Sequence, residues 1–273
     1  MKFKIHILFF LLTLSSCKYS HDYKSLEKKL NTYLKSSEGE FAIVFKNLSD
    51  GKTILINENE EFHAASTMKT PIMIEVFRYV HEGAISLDDS ILVKNEFKSI
   101  ADGSSFSLSS FEDSDKKIYE EIGSFLSLRE LVIDMITLSS NFATNLVIDY
   151  VGSEDINNTM RGLGANKINV IRGVEDIKAF NRGMNNTTTA LDLLNIYEKL
   201  AEGNIINSKV SEEMVDILKN QKYDDIEVKS PGTVIISATA HCNNITNIVE
   251  PVLKLDKGSI FYINLSSDDF KLG

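Results

Sequence analysis

A serine hydroxyl is a weak nucleophile unless a base stands beside it, and Ser66-Thr67-Met68-Lys69 places a lysine one helical turn further on, on the same face. The pattern is not unique, since Ser-x-x-Lys also begins at Ser15, Ser25, Ser49 and Ser114. Ser15 falls in an apolar leader, Ser25 on a polar helix face, Ser49 in a turn and Ser114 in a loop. Only Ser66 opens a strongly apolar segment, through Met73, Val76, Phe77 and Val80 as far as Gly83, in which Lys69 would lose part of its hydration. Burial lowers the pKa of a lysine and yields a neutral amine able to take the serine proton, while the N–H groups at a helix start face a developing oxyanion. A capping serine followed by a snorkelling lysine fits the same four residues, so other groups must decide.

Ser139-Ser140-Asn141, the one Ser-x-Asn of the chain, follows a helix that ends at Leu138. An acidic residue, Glu175, stands in Arg172-Gly173-Val174-Glu175-Asp176. A solvated acidic loop is the plainer account of that segment.

These residues need a scaffold, and the apolar pattern supplies one. His21 to Tyr33 carries Leu26 and Leu30 at helical spacing. Phe41 to Phe45 and Thr53 to Ile56 flank the turn-rich Leu48-Ser49-Asp50-Gly51-Lys52, which predicts a β-hairpin. Ser127-Leu128-Arg129-Glu130 has capping-box form and opens a helix through Leu131, Met135 and Leu138. Further helices begin near Ser153, Thr188 and Ser208, while Thr233 to Ser237 and Ser259 to Leu265 read as strands around the turn-prone Asp256-Lys257-Gly258. Lys98 to Ser114, rich in Ser and Asp without periodicity, reads as a surface loop with no chemistry. The expected fold is α+β: an antiparallel sheet of N- and C-terminal strands packed with helices, plus an inserted helical lobe over roughly residues 66–210.

Ser-x-x-Lys, then Ser-x-Asn, then an acidic residue, then a late strand resembles the penicillin-recognising serine enzymes, the class A β-lactamases in particular, over nearly the whole chain after its leader. The resemblance implies Ser66 as nucleophile, Lys69 as its base, Ser139 as proton relay to the leaving nitrogen, Asn141 as the group that orients lysine and substrate, and Glu175 as primer of the deacylating water. It departs at Ser140, where the family has aspartate, and at Ala179, where it has an asparagine that helps to place the water. The strand expected to carry Lys-Thr-Gly reads Ala238-Thr239-Ala240, so only Thr239 remains to bind substrate. The missing lysine takes away positive charge near a substrate carboxylate, and the missing glycine takes away close backbone approach. The backbone N–H groups of Ser66 and His241 would form the oxyanion hole, a role that survives side-chain change. The chain also ends at Gly273, soon after its last strand, without the terminal helix usual in such folds. The implied activity is serine β-lactamase-like hydrolysis of a β-lactam; the alternatives are a catalytically impaired penicillin-binding or ligand-binding lipoprotein and a D-alanyl-D-alanine peptidase-like enzyme acting on cell-wall peptides.

At 273 residues and 43% hydrophobic composition the chain can bury a sizeable core, and a net charge of -10 argues against nucleic acid as a partner. Lys2, Lys4 and the apolar run Ile7 to Leu14 read as an export signal too short to span a bilayer. Leu14-Ser15-Ser16-Cys17 resembles a lipobox, which predicts a signal over residues 1–16 and a lipid anchor on Cys17, with the hydrolase domain over 17–273 on a membrane facing the periplasm or cell surface. Ordinary signal cleavage is the alternative. Cys242 is then the remaining cysteine, so no internal disulfide is expected and it reads as a small apolar side chain. The five histidines lie apart without ligand spacing, no glycine-rich phosphate loop appears, and no metal or cofactor is expected. The expected partner is a small β-lactam or cell-wall peptide, bound by a monomer.

Overall fold

The computed structural model describes residues 23–36, 39–222, 235–239 and 259–266. Helix α1 (Tyr23–Lys35) precedes strands β1 (Glu40–Asn47) and β2 (Thr53–Ile56), which form the expected hairpin. Gly51, at φ 71°, turns the chain between them with its N–H on the Asn47 carbonyl at 2.8 Å. The C-terminal strands β9 (Ile235–Thr239) and β10 (Ser259–Ser266) complete a four-stranded sheet in the order β2-β1-β10-β9. β10 pairs antiparallel with β1, Ile263 opposite Ile43, whereas β9 joins the edge parallel to β10, Ile235 opposite Ile260. The α+β plan holds, with one parallel pairing at the edge of an otherwise antiparallel sheet.

Ala42 to Phe45 are all buried, the mark of a strand covered on both faces. One cover is α7 (Ala190–Ala201), which contacts both β1 and β10.

The helical lobe is built around α2 (Lys69–His81), whose Ile72, Met73, Ile74, Val76 and Phe77 are buried. α3 (Leu128–Thr137), α4 (Asn141–Val151) and α5 (Ser153–Gly162) pack against it, and α8 (Ser208–Lys219) touches α2, α3 and α7. Ser127 and Glu130 form the predicted capping box of α3, with Ser127 N–H on Glu130 Oε2 at 2.8 Å. A short helix, α6 (Ile177–Asn181), follows the Glu175 loop.

Two expectations are corrected. The segment from Ser66 does not begin as an α-helix: Ala65–Met68 is a 3-10 turn, and α2 starts only at Lys69. Ala65 has φ 44°, a left-handed conformation that is no α-helical start for an L-residue, so the chain enters by the tighter turn. The 98–114 segment is no featureless surface loop either. β5 (Phe97–Lys98) and β6 (Ser105–Phe106) pair across it, and Ser99 and Asp113 are buried as partners of the lobe. Ser99 Oγ donates to Asp176 and accepts the Ala101 N–H, and Asp113 accepts the Asn141 and Phe142 N–H groups, pairings that periodicity does not reveal. Between these pieces β4 (Ser90–Leu92) pairs with β7 (Phe125–Ser127), and β3 (Glu61–His63) pairs with β8 (Thr187–Thr189), directing the chain into the 3-10 turn.

Candidate active site

Of the Ser-x-x-Lys lysines that are described, Lys28, Lys52 and Lys117 are exposed, whereas Lys69 is 2% exposed. The 3-10 turn eclipses positions three apart, so Lys69 folds back on the exposed Ser66 with Nζ 3.3 Å from Ser66 Oγ. The same ammonium donates to Ser139 Oγ at 2.9 Å, to the Ser139 carbonyl at 2.6 Å and to Asn141 Oδ1 at 3.1 Å. Ser66 Oγ and Ser139 Oγ lie 2.9 Å apart. Burial drives the Lys69 pKa down to about 7, against the upward pull of the Asp113 and Glu175 carboxylates.

Ser139 reaches this position because its backbone is left-handed, at φ 55°, in the connection between α3 and α4. Ser140, buried, caps α4 by accepting the Ala143 N–H at 3.2 Å. Asn141 then sits in the first turn and bridges the site: its Oδ1 receives Lys69 while its Nδ2 donates to Glu175 Oε1 at 3.0 Å.

Glu175 is half-buried and also left-handed, at φ 62°. Burial raises its carboxyl pKa, the Asn141 amide opposes that shift, and the nearby Asp113 and Glu112 add to it. The loop that carries Glu175 is fixed from both sides. Asn145 accepts the Val174 N–H at 2.7 Å and donates to the Val174 carbonyl at 3.0 Å. Gly173 permits that approach, since a Cβ there would meet Asn145 Oδ1 at 2.5 Å. Beyond Glu175, Asp176 accepts from Ser99 Oγ at 2.7 Å and Ile100 N–H at 2.9 Å, and Asn186 Oδ1 accepts the N–H groups of Ile171 and Arg172 at 2.8 and 3.1 Å.

The structure thus brings Ser66, Lys69, Ser139, Asn141 and Glu175 together. Thr239 ends β9, a strand in contact with the Ala65–Met68 turn that carries Ser66. His241, Ala240, Cys17 and Cys242 fall outside the described residues. Ala179 is buried, with no polar atom on its side chain to hold a water. Among the described residues no group of His, Cys, Asp or Glu is arranged to hold a metal ion, and no helix is long and apolar enough to cross a membrane. Sequence reasoning missed Asp113, Asn145 and His63. The last of these accepts the Ala65 N–H on Nδ1 at 3.0 Å, directly before Ser66. The nearest thing to a signal for them is Asp113-Ser114-Asp115, a short polar pattern that looks like any turn.

As a chemical device the arrangement offers a hydroxyl beside an amine of near-neutral pKa, a second hydroxyl able to pass a proton, and a separate carboxylate on the far side of Asn141.

A sequence model of the beta-lactamase enzyme family matches residues 25–249. Among solved structures, a beta-lactamase from Sphaerobacter thermophilus superposes with a TM-score of 0.59 at 25% identity, over 72% of this chain and 70% of that one. The structure of PBP-A gives 0.61 at 23%, over 72% and 69%. A mutant class A beta-lactamase of the last common ancestor of Gram-negative bacteria gives 0.61 at 22%, over 73% and 72%. A 46-residue stretch, 16% of this chain, is 48% identical to a probable phosphoribosylformylglycinamidine synthase from Caenorhabditis elegans, of which it spans 4%.

Proposed function

Because this chain belongs to the beta-lactamase enzyme family, of the penicillin-recognising serine enzymes, we propose that it is a serine hydrolase acylated at Ser66 by a β-lactam amide and freed by water. The observation that carries the proposal is the buried Lys69, with a pKa of about 7 and its nitrogen within 3.3 Å of both Ser66 Oγ and Ser139 Oγ.

A Lys69 pKa brought down to about 7 by burial makes the neutral amine accessible near neutrality. The neutral amine takes the Ser66 proton as Oγ attacks the amide carbonyl carbon. Ser139 Oγ–H protonates the departing nitrogen as the C–N bond breaks and is itself reprotonated from Lys69. An acyl ester on Ser66 remains. A water then gives its proton to the Glu175 carboxylate and attacks the ester carbonyl; Ser66 Oγ leaves as the C–O bond breaks, and the proton held by Glu175 passes back to it, which restores both groups. The carboxyl pKa of Glu175, raised by burial, makes it a stronger base than an exposed glutamate.

A second reading is favoured by two residues, Ala179 and Ala238. With no polar side chain at Ala179 to help position a water, and with Ala238 in place of a cationic residue, acylation would outrun release and the protein would act as a penicillin-binding or peptidase-like enzyme with a long-lived acyl-enzyme. Cell-wall peptides are then the natural substrate class. In either case the chain would work as a lipid-anchored monomer through Cys17, outside the cytoplasm.

Incubation with a chromogenic cephalosporin tests the reading. Continuous hydrolysis that disappears in Ser66→Ala supports the hydrolase, a single stoichiometric burst supports slow release, and activity that survives in Ser66→Ala contradicts both.

A further inference from the structure

The 98–114 loop ends on a buried carboxylate that reaches the site. Asp113 is 3% exposed. Its Oδ1 accepts the Asn141 N–H at 3.1 Å and the Asp115 N–H at 3.1 Å; its Oδ2 accepts the Phe142 N–H at 2.8 Å and the Tyr119 hydroxyl at 3.1 Å. Four donors offset the cost of burying the group.

Two of them are the first N–H groups of α4, which have no partner within the helix. Ser140 spends its own hydroxyl on Ala143 N–H one turn further in, so Ser139-Ser140-Asn141 holds no carboxylate of its own and the negative charge at this helix end arrives from another segment. The placement matters because Asn141 faces Lys69 with one side-chain atom and Glu175 with the other.

We propose that Asp113 is a positioning residue of the acyl-transfer site, fixing the Asn141 end of α4 and balancing the buried Lys69 ammonium. Its kinetic consequence rests on the acyl-transfer function proposed above; its electrostatic consequence does not. The carboxylates acting on Lys69 are Asp113, from the loop, and Glu175, from the segment before α6, while Ser66, Ser139 and Asn141 bond it directly. Asp115 and Tyr119 stand behind Asp113, and Glu112 acts on Glu175. Removing the Asp113 charge deprives the ammonium form of Lys69 of one of the two carboxylates that favour it.

The test is the titration of Lys69 in protein carrying 13Cε-labelled lysine, with the resonance assigned by Lys69→Arg, in wild type and Asp113→Asn. The midpoint is expected near pH 7 in the wild type. In the variant it falls by about half a pH unit or more. Where wild type is acylated by penicillin, the plateau acylation rate of Asp113→Asn falls about tenfold and its ascending limb moves to lower pH. A variant with a lower melting temperature and slower acylation at every pH, but an unmoved Lys69 midpoint, overturns the proposal, as does a midpoint that rises. If penicillin does not acylate wild type, the acyl-transfer function falls while the titration still judges Asp113. Should Asp113→Asn not fold, Asp113→Ser, which also removes the charge, is read in the same way.

Discussion

The hydroxyl of Ser66 lies 2.9 Å from that of Ser139, a residue 73 positions later in the chain, and Lys69 Nζ is within hydrogen-bond reach of both. A proton taken from the first therefore has a short path to the second. The base at the centre of that path is expected to govern acylation. If Lys69 is the base, it acts only when neutral, and the acylation rate should rise with pH through a midpoint near 7. Lys69→Ala should lose a factor on the order of 10²–10⁴ and flatten that rise, as stopped-flow acylation with a chromogenic cephalosporin would show. A wild-type profile level from pH 5 to 9 would rule the lysine out as base.

Ser139 adopts φ 55°, a conformation that costs an L-residue roughly 1–2 kcal/mol and glycine almost nothing. Ser139→Gly and Ser139→Ala should lose acylation alike, since both remove the hydroxyl, but the glycine variant should be about 1 kcal/mol more stable than the alanine variant in urea denaturation. Equal stabilities would mean that the strain is relieved elsewhere.

Gly173 works by contact rather than by φ. An added methyl at that position meets Asn145 Oδ1 at 2.5 Å, the atom that holds Val174, the residue before Glu175. Gly173→Ala should therefore move the Glu175 carboxylate and slow deacylation about tenfold or more while acylation, driven from Lys69, changes little. Separate measurement of burst and steady-state rates distinguishes the two steps.

Asp134 supplies a check that does not depend on catalysis. Burial, with Asp115 and Glu130 nearby, raises its pKa from 3.8 to about 6. The folded protein then binds a proton more tightly than the unfolded chain, so this group's contribution to stability falls as pH rises from 3.8 to about 6 and stays low above it. Asp134→Asn should raise the melting temperature at pH 7 and leave it nearly unchanged at pH 3.5. A gain of equal size at both pH values would point to a cause other than charge.

Most helices and the first hairpin were legible because each obeys a local rule: apolar spacing in α2 and α7, a capping box at α3, and Gly51 with its turn-forming neighbours between β1 and β2; α4 and α6 were not read from the sequence. Ser66 and Lys69 stood out because an apolar stretch follows them, and Ser139 with Asn141 because the motif is unique. The rest depends on contacts distant in sequence. Asp113 bonds Asn141, 28 residues on, and Ser99 bonds Asp176, 77 residues on, so the acidic and serine-rich segment looked solvated until the helices it caps were in place. The 3-10 entry at Ser66 was equally hidden, because it follows from the left-handed Ala65 and its N–H bond to His63, not from propensity.

The central claim is that Ser66 is the atom acylated, and peptide mapping of the penicillin-treated protein tests it most directly. A ring-opened penicillin adduct is predicted on the peptide that contains Ser66, accumulating further in Glu175→Gln and absent from Ser66→Ala. An adduct on any other residue, or an unmodified Ser66 peptide in both wild type and Glu175→Gln across pH 6–9, would contradict it.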